Sequence, residues 1–176
     1  METQLEYSYA TSIAAELKKD LEEGKEFHSG AAMHEEDFRA WGSFMKKYQP
    51  AAILELGTGS GSFSRFIQKQ VYWFITIDNQ VPENPPDGFI QLDIFSEIQQ
   101  IREFIELSPK PFLLYCDNGN KIEEVKIFSE FLIPYFDYLA VHDYGIEIFP
   151  SDIPDYFEKI VHMGLTAFFK KRDYEE

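Results

Sequence analysis

Residues 51–65 read Ala-Ala-Ile-Leu-Glu-Leu-Gly-Thr-Gly-Ser-Gly-Ser-Phe-Ser-Arg, and the fold turns on how this stretch is read. Ala51 to Leu54 is an apolar run short enough for a buried strand. Glu55 follows, and glycines then stand on alternate positions at Gly57, Gly59 and Gly61. Beyond them Phe63, Phe66 and Ile67 recur at helical spacing. Strand, glycine turn and helix in that order let backbone approach a ligand closely, because glycine has no Cβ and tolerates positive φ. The free N–H groups and positive dipole end of the helix point at the same spot. Alternate glycines weaken local order, so they call for a packing or binding reason.

Working outward, Val71 to Ile77 is a β-rich run ending in Asp78, and the three prolines between Pro82 and Gly88 mark a loop. Gly88 to Asp93 reads as a third strand, followed by a helix from about Ser96 to Leu107. Pro111 to Asp117 is a fourth strand, Glu123 to Leu132 a helix closed by Pro134, and Asp137 to Asp143 a fifth strand. The final stretch reads as a helix over Ile153 to His162, Gly164, and a strand from Leu165 near the sheet edge. Upstream, Ile13, Leu17 and Leu21 stripe a helix over Thr11 to Gly24. A second helix, Glu35 to Tyr48, carries Phe38, Trp41, Phe44 and Met45 on one face as core residues, before Pro50 breaks it. Strands alternating with helices predict an α/β fold, a doubly wound and mainly parallel sheet with two extra N-terminal helices. The whole is one domain, with residues 1–50 as a helical cap and 51–176 as the α/β core.

The 176 residues suit a single domain with a real core, and 44% hydrophobic with 16% aromatic content is the composition of a folded protein. A net charge of −15 disfavours nucleic acid and anionic membrane as partners, since both need a cationic face. No apolar stretch reaches membrane-spanning length, and the opening Met-Glu-Thr-Gln-Leu-Glu-Tyr lacks the pattern of a signal peptide. The single cysteine, Cys116, forms no internal disulfide and is expected to be buried and inert, which agrees with a cytoplasmic protein. Self-association into a homo-oligomer is left open.

Two nucleoside ligands suit the glycine turn. The dinucleotide fingerprint G-x-G-x-x-G fails at its last glycine, where Ser62 stands, and this disfavours an NAD-binding oxidoreductase. The pattern Glu55-x-Gly57-x-Gly59-x-Gly61 instead resembles motif I of the class I S-adenosyl-L-methionine (SAM) methyltransferases. That resemblance implies a Rossmann-like methyltransferase fold. It makes Glu55 the acid that helps hold the methionine end, with Gly57, Thr58, Gly59 and Gly61 passing under the sulfonium. Asp78, at the tip of the second strand, is placed to accept hydrogen bonds from both ribose hydroxyls of either nucleoside. In the methyltransferases an acid at the third strand tip bonds the adenine amino group, which makes Asp93 a candidate; Asp93 equally suits a cap on the following helix.

Four strand tips end in acids, Asp78, Asp93, Asp117 and Asp143, and in a doubly wound sheet such tips open on one crevice. Facing carboxylates repel, and a divalent cation resolves the repulsion; oxygen ligands favour magnesium, manganese or calcium, and His142 would tilt the preference towards a transition metal. Phe27-His-Ser-Gly30, Asp37-Phe38, the glycine stretch, Tyr115-Cys-Asp-Asn-Gly-Asn-Lys and Val141-His-Asp together resemble the cephalosporin-hydroxylase-like branch of the class I methyltransferases, over roughly Phe27 to Asp143. The resemblance implies a magnesium site beside SAM with Asp117 and Asp143 as ligands. His142 stands where that branch can carry a carboxylate, and is a candidate third ligand. Lys121 resembles the lysine base of catechol-type O-methyltransferases. The mechanism implied is displacement of the SAM methyl by the hydroxyl of a small-molecule acceptor, its pKa lowered by the cation. Two alternatives stand beside it: a metal-independent methyltransferase with His142 as base, and a nucleoside-binding module without turnover. His28 and His34 lie where a lid would sit, His162 lies near the end of the predicted last helix, and Tyr144 and Phe149 are placed to line a substrate pocket.

Overall fold

A computed structural model describes residues 33–172 of the chain. The helix expected at 11–24 and the loop residue His28 lie outside the described residues. Helix α1 spans Glu35–Tyr48, as its apolar spacing predicts, and ends in left-handed Gln49 (φ +44°) just before Pro50. Strand β1, Ala52–Leu56, is buried along its whole length and leads through the glycine turn into the short helix α2, Ser62–Ile67. There follow β2 (Trp73–Asp78), β3 (Phe89–Gln91), α3 (Ile98–Leu107), β4 (Phe112–Cys116), α4 (Lys121–Leu132) and β5 (Tyr138–Val141). The chain closes with β6 (Phe157–Met163) and β7 (Thr166–Lys171).

The seven strands form one sheet in the order β3-β2-β1-β4-β5-β7-β6. The first five run parallel, whereas β7 lies antiparallel to both β5 and β6. Period-two alternation splits the buried residues into two layers. Ile53, Leu113, Tyr115, Ala140 and Phe168 meet α1 and α2 through Trp41, Phe44 and Phe66. Leu54, Leu56, Leu114, Val141 and Phe169 meet α3 and α4 through Ile101, Ile105, Val125 and Phe128. The sheet is therefore doubly wound and mainly parallel. Trp41 sits edge-on to both Tyr115 and Phe168 at 4.9 Å, and Phe44 stacks on Phe168 at 4.3 Å. The α1 aromatics are core residues, as expected.

The helix expected over Ile153 to His162 is corrected. Residues 157–163 form a strand, not part of a helix, after a 3-10 turn at Pro150–Asp152. Ile153, Phe157 and Val161 satisfy helical spacing, but Met163-Gly164-Leu165-Thr166 closes a tight hairpin with Gly164 at φ +59°, and pairing with β7 overrides the local pattern. His162 accordingly lies on a strand, its ring edge-on to Tyr144 at 4.9 Å. The strand β7 lies near the sheet edge, as expected, with β6, carrying Glu158, Lys159 and His162, outside it as the edge strand.

The hairpin is fixed to α1 by Asp37, which is fully buried. Its Oδ1 accepts the Leu165 N–H at 2.7 Å and the Thr166 hydroxyl at 2.9 Å, and its Oδ2 accepts the His34 N–H at 2.8 Å. A Cβ on Gly164 would stand 2.8 Å from that same Oδ1, so the close approach requires glycine there.

Candidate active site

The strand order reverses between β1 and β4, and the crevice beyond the carboxyl ends at such a reversal is where open α/β sheets bind ligands. Here the glycine turn meets the loop after β4. A Cβ on Gly57 (φ +99°) would lie 2.6 Å from the Asp117 carbonyl oxygen and 2.8 Å from the Asn118 nitrogen, so the two loops touch through glycine backbone. Gly59 (φ +52°) differs: a Cβ there would meet nothing within 4 Å. The turn thus presents bare backbone to open space at its middle glycine.

Asp78 holds that curve in place. Its Oδ2 accepts the N–H groups of Thr58 at 3.0 Å and Gly59 at 3.1 Å, while Oδ1 accepts that of Gln80. The Thr58 hydroxyl pairs with that of Thr76 at 2.7 Å. Asp78 thus braces the turn, an arrangement the sequence reading did not foresee. Glu55 lies beneath and is 1% exposed; it accepts a short hydrogen bond from the Ser64 hydroxyl and so ties α2 to β1. Burial raises its pKa to about 8, against the hydrogen bonds from Ser64 and Thr76, so the carboxyl is largely protonated at neutral pH. Asp93 lies past the end of β3 and accepts the N–H groups of Phe95 and Ser96 at 3.0 and 3.3 Å, while Glu97 accepts its own N–H. Asp93 thus shapes the turn ahead of α3 and does not cap that helix, whose N-cap position is Glu97.

The second half of the crevice gathers Asp117, Lys121, His142 and Asp143. His142 is 2% exposed. Its Nδ1 stands 3.3 Å from Asp117 Oδ1 and 3.4 Å from Asp143 Oδ2, yet neither ring nitrogen has hydrogen-bond geometry to any partner. The contact is electrostatic: burial pushes the His142 pKa down, but Asp117 and Asp143 outweigh it and the net shift is upward. One donor atom from each of Asp117, His142 and Asp143 lies within 4.8 Å of the others, so these residues are able to hold a metal ion. Tyr115, fully buried beneath, donates its hydroxyl to Asp117 Oδ2 at 3.0 Å and fixes that carboxylate. Asp143 takes positive φ (+56°), which turns the chain sharply at the end of β5.

Lys121, in the first turn of α4, already supplies a positive charge. Its Nζ lies 2.9 Å from Asp143 Oδ2, 3.0 Å from Glu147 Oε2 and 3.9 Å from Asp117 Oδ1. Burial alone would lower its pKa, but Asp143, Glu147 and Asp117 raise it on balance, so the ammonium is held charged. Lys121 and His142 hold Asp143 below the usual carboxylate range, against the burial that would raise it.

Two acids here carried no expectation. Glu147 is half exposed and sits in the loop after β5, where no periodicity marks it. Glu124, three residues after Lys121, is buried with neither carboxylate oxygen in a directed hydrogen bond, and burial pushes it up to about 8, against the Lys121 charge. An acid on the core-facing side of a helix, beside Val125 and Phe128, was the signal that marked it. Tyr144 is buried against Ile148 in the core and Phe149 is partly exposed, so only the latter is open to a ligand. His34 is exposed at the start of α1. Among the described residues no helix is long and apolar enough to cross a membrane.

No protein-family model and no curated protein matches the sequence. Solved structures do resemble the fold. CmcI with SAH matches at TM-score 0.58 and 13% identity, over 80% of this chain and 78% of that one. Apo CmcI matches at TM-score 0.51 and 16% identity, over 66% and 57%. An S-adenosyl-L-methionine methyl transferase from Silicibacter pomeroyi DSS-3 matches at TM-score 0.48 and 16% identity, over 69% and 82%. At these identities the likeness is one of fold: the chain has an α/β, Rossmann-like architecture like that of CmcI.

Proposed function

We propose that the chain is a SAM-dependent methyltransferase that methylates a hydroxyl of a small molecule, with a divalent cation, magnesium or manganese, beside the donor. The observation that carries the reading is the bare backbone at Gly59, braced by Asp78 and set next to the Asp117–His142–Asp143 cluster. A structure of the same fold is described with SAH, which supports a donor in this crevice.

The residues present fit both groups. The open space over Gly59 suits a donor that lies against the turn, and the buried, unbonded His142 nitrogen facing two carboxylates suits a cation. SAM supplies an electrophilic methyl on sulfur, and a divalent cation would lower the pKa of the acceptor hydroxyl. The protein supplies position and proton transfer. Asp78 keeps the turn in shape, Gly59 presents its backbone to the donor while Gly57, Thr58 and Gly61 form the turn around it, and Glu55 underpins the strand. Asp93, past the third strand, is the candidate for the adenine amino group. Tyr115 orients Asp117. Lys121 keeps its proton in this arrangement, and Asp117, Asp143 and His142 would hold the cation, so His142 is free to act as a base only where no cation is bound.

A second reading, a metal-independent enzyme with His142 as base, is favoured by one observation: the Lys121 ammonium already balances Asp143 and Asp117. Calorimetry with SAM and with SAH tests the donor site, and methyl transfer to a panel of hydroxyl compounds, with and without a chelator, tests the rest. Binding followed by chelator-sensitive transfer is expected. Full activity in chelator moves the assignment to the second reading, binding without transfer to any acceptor makes the chain a nucleoside-binding module, and failure to bind either nucleoside overturns the proposal.

A further inference from the structure

The two oxygens that face His142 Nδ1 are Asp117 Oδ1 and Asp143 Oδ2, and they are the same two that the Lys121 ammonium approaches, at 3.9 and 2.9 Å. A divalent cation held by these oxygens would meet a second positive charge at close range in a half-buried crevice, where water screens it poorly. Lysine has a way out. Its flexible four-carbon stem carries a point charge that rotates freely, and Glu147 Oε2 already stands 3.0 Å from Nζ on the side opened to solvent. The loop brings Glu147 there through positive φ at Asp143 and at Gly145 (+92°).

We propose that Lys121 is a built-in competitor for the divalent cation, and that Glu147 is the side chain that receives its ammonium when the cation binds. The inference rests on the cation half of the proposed function and adds to it a device that sets the cation's affinity. With Asp117 and Asp143 bare of metal, Lys121 bridges Asp143 and Glu147 and keeps the carboxylates neutralised. With metal present, the ammonium is left on Glu147 alone.

Manganese binding, followed by electron paramagnetic resonance of the free ion at fixed pH, tests this without reference to activity. K121M is expected to bind manganese at least tenfold more tightly than wild type. K126M, which makes the same charge change at an exposed position on the same helix, is expected to stay within twofold. E147Q strands the ammonium on the two ligands and is expected to weaken binding at least threefold, but to have little effect in a K121M background. If K121M is too unstable to measure, K121Q and E147Q carry the comparison.

Equal affinity in wild type and K121M, or an equal gain in K126M, overturns the competition. An E147Q effect of the same size in both backgrounds overturns the role of Glu147. Absence of manganese binding from every protein overturns this inference together with the cation half of the proposed function, whereas SAM calorimetry on the same samples tests the donor half separately.

Discussion

Replacing Gly59 by alanine separates a turn built for a ligand from a turn built for folding. The added methyl meets no atom within 4 Å, and φ is +52°, inside the left-handed region. The folding cost is therefore the conformational one alone, about 1 kcal/mol for an L-residue, which lowers the melting temperature by roughly 2–4 °C in a domain of this size. A donor lying against the turn would meet that methyl, and a loss of affinity of at least tenfold, roughly 1.4 kcal/mol, is expected in SAM calorimetry. Gly57→Ala is the contrasting case. Its methyl would sit 2.6 Å from the Asp117 carbonyl at φ +99°, so the two loops must part, and a cost of about 3 kcal/mol is expected without any ligand. Thermal melts and calorimetry on the two variants thus give opposite rankings. Gly59→Ala protein that takes up SAM with wild-type affinity would refute the reasoning, because the donor would then not lie on this turn.

Glu55 makes stability pH-dependent. Its pKa near 8 in the folded protein against 4.5 unfolded means the folded state keeps a proton the unfolded state releases, so its contribution is full below pH 4.5 and falls as pH rises to 8. The slope is roughly 1 kcal/mol per pH unit; Glu124 adds a similar one, so Glu55→Gln should remove about half of it in denaturant titrations at pH 5 to 8. An unchanged slope would contradict the assignment. Asp37→Ala strips acceptors from two backbone N–H groups and the Thr166 hydroxyl, and should destabilise the fold by about 3 kcal/mol in chemical denaturation. Burial raises the pKa of the fully buried Cys116, so iodoacetamide should label it only after unfolding, and rapid modification of native protein would show that β4 opens.

What was legible in the sequence was whatever a local pattern dictates. The apolar run before the alternate glycines marks β1, the Phe38, Trp41 and Phe44 spacing marks α1 to its ends, and the acids after β2, β4 and β5 mark one edge of the sheet. β6 was not legible, because Ile153, Phe157 and Val161 fit a helical face as well as a strand, and only partnership with β7 decides between them. Side-chain partners across loops were equally hidden. Asp78 reads as an acid at a strand tip, and that it spends Oδ2 on two turn amides depends on where the turn lies in space. Glu147 reaches Lys121, 26 residues away in sequence, only because the backbone reverses at Asp143 and Gly145.

The bond from Leu165 to Asp37 spans 128 residues, and among the described residues β7 is what pairs with β5 on its outer side. α1 therefore cannot find the donors its buried acid needs until the β6–β7 hairpin, more than a hundred residues further on, has been made. Until that hairpin forms, the sheet carries an open flank at β5, and a chain cut before Gly164 would keep that flank bare and prone to clump.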